Sequence, residues 1–378
     1  MTRVPLAVLD LIPVSSGDDA ATALRNTVDL VRRSEQLGYQ RYWFAEHHLN
    51  PGVIGASPAV TIALIAAATS TIRLGSAGVQ LGHHLPLAAV EEFALIEALF
   101  PGRLDLGLGR SLGRPKPDAA PLLPGATGPQ HETEQRAANG LLLPKTFDFS
   151  KLLASSRISA TLELLQQPGA YTPDYAKQID DVLALLAGSY VSSDGLAVHA
   201  YPGEGADLQV WILGASAGQS ATVAGERGLR FAASYHHSPS TVLDAVEAYR
   251  SAFRPSATLD RPYISVSADV VVADDDAGAR RLASGYGPWV RSIRSGAGAI
   301  AYPTPEEAAA LEWTAEDRAL VQDRIDTQLV GSPASVVEQL ERLREATGAD
   351  ELAITTITHQ HEDRARSYEL LAKEWFTR

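Results

Sequence analysis

The sequence of 378 residues contains no cysteine. That absence excludes disulfides, thiolate zinc sites, iron–sulfur clusters and a cysteine nucleophile. Positive charge is also scarce, because 32 Lys and Arg residues stand against 45 Asp and Glu residues and give a net charge of −13. Such a charge repels nucleic-acid backbones and anionic bilayers, so we expect neither nucleic acid nor a membrane as a partner.

Long apolar runs are missing as well. No stretch approaches the roughly 20 uninterrupted apolar residues of a membrane span. The apolar N-terminal segment is interrupted by Pro5 and Pro13 and has no cleavage-site pattern after it. We therefore predict a cytoplasmic protein whose residues 4–9 form a first buried strand. A hydrophobic content of 45% can build one large core, so a single domain over residues 1–378 is expected.

Short apolar segments alternate with segments of helical periodicity along most of the chain. Eight such alternations predict an α/β fold, specifically a (β/α)8 TIM barrel, in which ligands bind at the C-terminal ends of the strands. The predicted strands cover residues 4–9, 41–44, 72–80, 103–110, 209–213, 229–234, 262–272 and 351–356.

Two segments break this pattern. Residues 111–207 contain a run of prolines and a polar stretch, and residues 295–325 begin with a region rich in Gly, Ala and Pro. Long irregular segments in a compact domain usually serve as lids or binding loops. We predict that both are insertions at the C-terminal face, the first an insertion or lid and the second a second candidate lid.

Histidines follow several of the predicted strands. In a barrel, residues that follow strands gather at one face, so we expect a shared site there, next to the carboxylate of Glu46. One histidine of each pair is expected to be structural. Eight of the ten histidines have this placement: His47, His48, His83, His84, His236, His237, His359 and His361.

A metal site is one interpretation of such a cluster. The histidines with Glu46 and Asp105 could coordinate zinc or iron. However, metal-dependent barrel hydrolases typically share a His-x-His pattern after the first strand, where this chain has Asp10-Leu11-Ile12-Pro13. No metal is therefore predicted.

A dinucleotide site is a second interpretation, because the glycine-rich sequence GLGRSLG at residues 107–113 follows a strand. Its spacing does not match GxGxxG, and Pro115 and Pro117 prevent the long helix that should follow. Barrel geometry explains the glycines better. Leu104, Leu106 and Leu108 alternate with Asp105, Gly107 and Gly109, so the leucines should face the helices while the glycines leave a hollow for a flat ligand.

Five motifs, in order, carry a family resemblance. They are AEHH at 45–48, SPAV at 57–60, IRLGSAGVQL at 72–81, PGRLDLGLGR at 101–110 and VWILGASAGQSA at 210–221. Together they resemble the bacterial-luciferase-like flavin-dependent monooxygenases. The match runs over most of residues 4–110, 208–272 and 328–372.

This resemblance implies a catalytic group made of His47 beside the flavin ring, Glu46 next to it, and Arg110 as a fixed cation. It also implies a cis peptide bond between Ala77 and Gly78. Gly109 stands where some light-emitting relatives carry a cysteine, which argues against light emission.

The resemblance further implies two sets of binding residues. Flavin mononucleotide (FMN) would be held by Ala77, Gly78, Gly109, Arg110, Gly214, Ala215, Ser216, Gly218 and Ser220, the last five forming a phosphate loop at a helix start. The substrate pocket would include His48, His84, His236 and His237.

The implied activity is two-component monooxygenation of a small organic molecule. Reduced FMN would come from a separate NAD(P)H-dependent flavin reductase and react with dioxygen through a flavin hydroperoxide, and the family implies a homodimer. Two alternatives remain open: a deazaflavin-dependent dehydrogenase on the same fold, and a non-catalytic flavin-binding protein. The sequence does not identify the substrate.

Overall fold

The structure, a computed structural model, describes residues 3–111, 113–114 and 130–377. Pro115 and Pro117, which argue against a dinucleotide site, lie outside these residues, as does part of the predicted 111–207 lid. The described strands, in chain order, are β1 (Leu6–Asp10), β2 (Arg41–Phe44), β3 (Arg73–Ser76), β4 (Val79–Gln80), β5 (Leu104–Gly109), β6 (Gln135–Arg136), β7 (Leu142–Leu143), β8 (Gln209–Gly214), β9 (Arg230–Ser234), β10 (Ile264–Val272), β11 (Leu329–Gly331) and β12 (Glu351–Thr355).

Eight of these strands close into a parallel barrel. The order is β1, β2, β3, β5, β8, β9, β10 and β12, and β12 pairs with β1 to complete the ring. The third predicted strand is interrupted, because β3 ends at Ser76 and its continuation β4 pairs with β5 further along. The predicted TIM barrel is therefore confirmed, with a break in its third strand.

Helices cover the outside of the barrel. None in the described part of the chain is long and apolar enough to cross a membrane. They are α1 (Ala20–Gln36), α2 (Pro58–Ile65), α3 (Pro86–Leu99), α4 (Ser150–Leu153), α5 (Ser156–Leu165), α6 (Tyr175–Leu186), α7 (Gln219–Glu226), α8 (Val242–Ala252), α9 (Asp276–Leu282), α10 (Tyr286–Arg294), α11 (Pro305–Ala309), α12 (Ala315–Thr327), α13 (Pro333–Thr347) and α14 (His361–Phe376).

Local sequence signals explain several helix boundaries. The Asp19 carboxylate accepts a hydrogen bond from the Thr22 backbone N–H at 2.7 Å and so caps the start of α1. Gly38 adopts a left-handed backbone with φ +85° just after that helix, as glycine does at helix ends. Ser57 caps the start of α2, with Pro58 in its first turn.

The insertion at 111–207 is more regular than its sequence suggests. Its helix α6 packs against α3 and buries Tyr175, Ile179, Val182 and Leu185, so it supplies the barrel's fourth covering helix. The proline-rich sequence of this insertion does not reveal its helix α5. The second candidate lid likewise contains α11 and most of α12, each beginning with a capping box.

The N-terminal end of the barrel is closed by buried ion pairs. Arg41 contacts Asp105 at 2.6 Å and Glu351 at 2.9 Å, and Arg73 contacts Asp105 at 2.8 Å. Asp105 faces the interior, as its alternation predicts, but it lies near the start of β5. It is therefore remote from the strand ends and cannot join Glu46 around a metal ion.

Candidate functional site

A cavity of about 550 Å³ opens at the C-terminal ends of the barrel strands. Ligands of α/β barrels bind at this face. The cavity wall contains most of the residues proposed from the sequence: Glu46, His47, Ala77, Gly78, Gly109, Arg110, Gly214, Ala215, Ser216, Gly218, Ser220, His236 and His237.

His47 lies in the loop that follows β2 and faces the cavity. Its backbone N–H donates to the Gly55 carbonyl at 2.8 Å, which fixes the loop. The Nδ1 atom is buried and has no hydrogen-bond partner among the described residues. Burial lowers the pKa of His47 to about 4, against the opposing charge of Glu46. The imidazole is therefore neutral near pH 7 and has a free polar atom for a ligand.

Two more histidines share the cavity, and we call His47, His236 and His237 the cavity histidines. His236 Nδ1 lies 2.6 Å from the Ser267 hydroxyl, and burial holds the pKa of His236 well below its usual value. His237 stacks on Phe149 with ring centroids 5.7 Å apart. Burial also lowers the pKa of His237, but His237 is exposed by its surface area, so this effect is weaker than at His236.

Glycines shape the cavity floor beside the interrupted third strand. The peptide bond between Ala77 and Gly78 is cis, as the resemblance implies. A Cβ atom at Gly109 would meet nothing closer than 3.9 Å, so this position leaves the predicted hollow. Glycine is required at position 107 for a different reason. A Cβ atom there would lie 1.9 Å from the Ser76 carbonyl oxygen, so the missing side chain allows β3 to approach β5.

The opposite end of the cavity has the features of an anion site. Helix α7 begins there after Gly218, and no side chain caps its first turn, so its first N–H groups are available to a ligand. Ser216 and Ser220 border the same end, and Ser220 hydrogen-bonds the Tyr175 hydroxyl. The Arg110 guanidinium has no ion-pair partner in the described ranges and lines the same cavity.

His48 and His84 are not on the cavity wall, which corrects their assignment to the substrate pocket. Both turn instead to Glu46, whose Oε1 atom lies 2.8 Å from His48 Nε2, 2.7 Å from His83 Nε2 and 3.1 Å from His84 Nε2. We call these four residues the Glu46 cluster. Burial disfavours ionisation of Glu46, but the imidazole hydrogen bonds outweigh it and hold the pKa of Glu46 well below its usual range.

The last two histidines after strands also lie away from the cavity. His359 Nε2 is 3.0 Å from the Ser16 carbonyl oxygen, and His361 Nε2 is 2.7 Å from the Asp29 carboxylate. The expectation that each pair provides one histidine to the site is therefore not met everywhere, since His236 and His237 both line the cavity and neither His359 nor His361 does. A barrel mouth is wide, and neighbouring residues in a loop point in different directions.

Several cavity residues have no counterpart in the sequence-based prediction. Ser265, Ser267 and Asp269 alternate along β10 and face inward, a signal that the period of two could have revealed. Arg324 donates to the Asp269 carboxylate at 3.0 Å, but it comes from α12, which was not foreseen. Other unforeseen cavity residues are Phe149, Trp289, Val290, Ile293 and Arg294.

Both candidate lids contact the loop that carries His47. Asn50 Oδ1 accepts a hydrogen bond from the Ala299 backbone N–H at 2.9 Å, and Ala299 lines the cavity. Arg157 of α5 lies 3.2 Å from the same Asn50 atom. These contacts hold both segments against the loop that carries His47; their role as lids stays a prediction.

Comparison with known proteins identifies the family. The family model for luciferase-like monooxygenases matches residues 4–125 and 165–351. The chain therefore belongs to this family, and it is an oxidoreductase of the monooxygenase type. It is 35% identical to the uncharacterized Bacillus subtilis protein YvbT over 99% of this chain and 97% of that protein. It is 32% identical to an Escherichia coli (strain K12) protein named luciferase-like monooxygenase, over 97% of this chain and 96% of that protein.

Solved structures agree with the fold. Apo-MsnO8 superposes with a TM-score of 0.76 at 29% identity, covering 99% of this chain and 98% of that one. Two more distant structures share the barrel alone and differ in cofactor. The oxygenating constituent of 3,6-diketocamphane monooxygenase from Pseudomonas putida, in complex with FMN, has a TM-score of 0.62 at 17% identity and covers 98% of both chains. A coenzyme F420 dependent reductase from Methanopyrus kandleri has a TM-score of 0.58 at 16% identity, covering 99% and 98%.

Proposed function

We propose that this protein oxygenates a small organic substrate with dioxygen and reduced FMN. The observation that carries the proposal is the cavity itself. Within the described part of the chain, it joins a neutral His47 with an unpaired Nδ1 atom to an uncapped helix start and to Arg110, which has no ion-pair partner there. One end suits a phosphate and the other suits a reacting ring. A flavin mononucleotide has both parts.

The residues fit FMN by chemical type. Ser216, Ser220 and the first N–H groups of α7 would hold its phosphate, because hydroxyls and helix N-termini both bind phosphate oxygens. The open floor at Gly109 would receive the flat ring, with the Arg110 guanidinium beside it. Bound in its reduced form, FMN would supply the electrons that activate dioxygen.

The protein's own side chains have two tasks in this proposal. His47 would hold or donate a proton beside the ring, which a neutral imidazole can do with one nitrogen protonated and the other free. The apolar and aromatic wall, including Trp289 and Phe149, would keep bulk water away from the reacting atoms. Glu46 would act indirectly, by fixing the loop that carries His47, because its carboxylate points toward His48, His83 and His84.

Reduced FMN would come from a separate NAD(P)H-dependent flavin reductase. The sequence offers no dinucleotide motif that would let this chain bind NAD(P)H itself. We place the reaction in the cytoplasm, where such a reductase has its NAD(P)H.

An anaerobic titration tests the cofactor assignment. Purified protein is titrated with photoreduced FMN, oxidised FMN and reduced coenzyme F420, and each complex is then mixed with air while dissolved oxygen is measured. We expect reduced FMN to bind more tightly than oxidised FMN, because Arg110 favours the anionic reduced ring, and oxygen to be consumed. Preferential binding of reduced F420 without oxygen consumption would instead support the deazaflavin-dependent dehydrogenase, and flavin binding without turnover would support a binding protein.

We also propose that the protein is a homodimer that pairs through α2 and α3. The α2 sequence PAVTIALI has no charged residue, although one side of this helix faces solvent. A helix that is apolar all round is usually buried on more than one side. The exposed apolar side chains on and beside these two helices form a patch suited to a second copy. They are Val60, Leu64, Leu85, Leu87, Leu95 and Leu99.

Analytical ultracentrifugation tests this surface. The wild type should sediment as a dimer, and Leu64→Glu or Leu99→Glu should shift it to a monomer, because a buried unpaired carboxylate opposes association. Leu164→Glu is the matched control, since Leu164 is a similarly exposed leucine on α5. A monomeric wild type, or a dimer that survives both substitutions, would show that these helices do not form the interface.

A further inference from the structure

We propose that Glu46, His83 and His84 form a binding site for a divalent transition-metal ion beside the cavity. His48 and Gln80 would hold the Glu46 carboxylate in place. This inference does not depend on the identity of the flavin. It also departs from the sequence-based prediction of no metal, because only the folded loops bring Glu46 to the adjacent residues His83 and His84.

The ligand atoms are already gathered. Glu46 Oε1 lies 2.7 Å from His83 Nε2 and 3.1 Å from His84 Nε2, and all three atoms lie within 4.8 Å of one another. Zinc binds imidazole nitrogen and carboxylate oxygen at about 2.0–2.2 Å, so neighbouring ligands of a tetrahedral ion are roughly 3.3–3.5 Å apart. Side-chain rotations that lengthen these distances by roughly 0.2–0.8 Å would admit the ion.

The Glu46 Oε1 atom has more hydrogen-bond partners than its lone pairs can accept. Three imidazole nitrogens of the Glu46 cluster converge on the single atom Oε1, whereas a carboxylate oxygen offers about two lone pairs. The other oxygen, Oε2, accepts from the Gln80 backbone N–H at 3.0 Å. With a metal ion between Oε1 and the nitrogens of His83 and His84, those nitrogens would act as ligands, leaving His48 as the donor to the carboxylate.

The buried negative charge of Glu46 also favours a bound cation. The Glu46 side chain is 0% exposed, and its ion-pair partners among the described residues are histidines, with no Arg or Lys. A buried carboxylate needs a counter-charge, and here either a protonated imidazole or a metal ion must supply it.

A second His and carboxylate group provides the contrast. Asp29, His361 and Glu362 also come close together, but Arg33 contacts Asp29 at 2.7 Å and Glu362 at 2.9 Å. One guanidinium therefore already balances part of the charge of these two carboxylates. This group serves as an internal control for the proposal.

The site has a path to solvent and a supporting shell. The His84 side chain is 26% exposed and that of His48 is 18% exposed, so an ion can reach the cluster without opening the barrel. Gln80 Nε2 donates to the Glu46 backbone carbonyl at 2.7 Å, which fixes the loop that bears the carboxylate. Two imidazoles and one carboxylate suit zinc, cobalt or ferrous iron better than the softer ions that prefer sulfur.

Metal titration of the full-length, tag-free protein tests the site. After treatment with EDTA and buffer exchange, Zn²⁺ binding is measured by calorimetry and Co²⁺ binding by visible absorption. We expect one ion per chain. Glu46→Gln and His84→Gln should each weaken binding by about 100-fold, because each removes or neutralises a ligand. His361→Gln should bind as the wild type does, and circular dichroism should show that every variant is folded.

X-ray absorption of the zinc-loaded wild type gives a second measurement that needs no variant. It should show two imidazole ligands and oxygen neighbours. The proposal is overturned if the wild type binds no stoichiometric ion, if Glu46→Gln and His84→Gln bind normally, or if binding is lost in His361→Gln. An absorption spectrum without imidazole scattering would overturn it as well.

Discussion

The substitution His47→Ala should remove the proton-transferring group of the cavity at little cost to folding. The backbone hydrogen bond from His47 to Gly55 remains, and the imidazole Nδ1 has no partner to lose among the described residues. The cost should therefore be the lost burial of a partly enclosed ring, about 1–2 kcal/mol. That is small beside a typical stability of about 5–15 kcal/mol.

The expected loss in catalysis is much larger. Positioned proton transfer usually contributes about 10²–10⁴-fold to rate, or roughly 3–5 kcal/mol. We therefore expect His47→Ala to slow the oxygen-dependent reaction by about 100-fold or more while FMN affinity changes little. Rapid mixing of the reduced FMN complex with dioxygen, followed at the flavin absorbance, measures the rate, and fluorescence titration measures the affinity.

The matched control is His48→Ala, because His48 lies outside the cavity and contacts Glu46. It should slow the reaction less than His47→Ala does. Normal turnover in His47→Ala together with an inactive His48→Ala would show that the roles of the two residues are reversed. If both variants react normally, proton transfer depends on another group.

Three further outcomes follow from the same cavity. Ser216→Ala and Ser220→Ala should each weaken FMN binding by about 1 kcal/mol, the usual value of a hydrogen bond, and leave riboflavin binding nearly unchanged; equal losses for both ligands would contradict a phosphate loop. Gly107→Ala should fail to fold or melt at much lower temperature, because its Cβ would lie 1.9 Å from a carbonyl oxygen, whereas Gly109→Ala, with nothing closer than 3.9 Å, should fold and only disturb the cavity. The depressed pKa of His47, about 4, means that the unfolded chain takes up a proton first as the pH falls below about 6.5. Urea unfolding should therefore show a loss of about 1–2 kcal/mol between pH 7 and pH 5 that shrinks in His47→Ala, and an unchanged difference would refute the assignment.

The barrel could be predicted from the sequence because its strands carry strong local signals. Residues 41–44 include three aromatic strand formers, which predict a strand by propensity. Residues 104–109 alternate leucine with small or polar residues, and this period of two predicts both a strand and the face on which each side chain lies. The cavity residues at the strand ends follow from the same topology. The cis peptide bond between Ala77 and Gly78 was expected from the resemblance alone, and the interruption of the third strand there was not predicted.

Elements outside the barrel were harder to predict. Helix α12 is mostly polar, with buried Val321, Arg324 and Thr327 on one side, so its apolar periodicity is weak even though a capping box starts it. Its Arg324 reaches Asp269 at the cavity only because α12 folds over the barrel. Such a contact depends on the path of a long insertion, which local propensity does not determine.

The histidine pairs show where positional reasoning stops. Topology brings the loops after β2 and β4 to one face, but the direction of each side chain depends on its loop. His47 turns into the cavity, while His48, one residue later, turns to Glu46 and meets His83 with ring centroids 5.2 Å apart. A pattern of strand ends can therefore predict which residues are neighbours. Charge then separates the histidines that face the ligand from those that surround a buried carboxylate. The ionised Glu46 accepts hydrogen bonds from three imidazoles, whereas burial favours the neutral form of the cavity histidines.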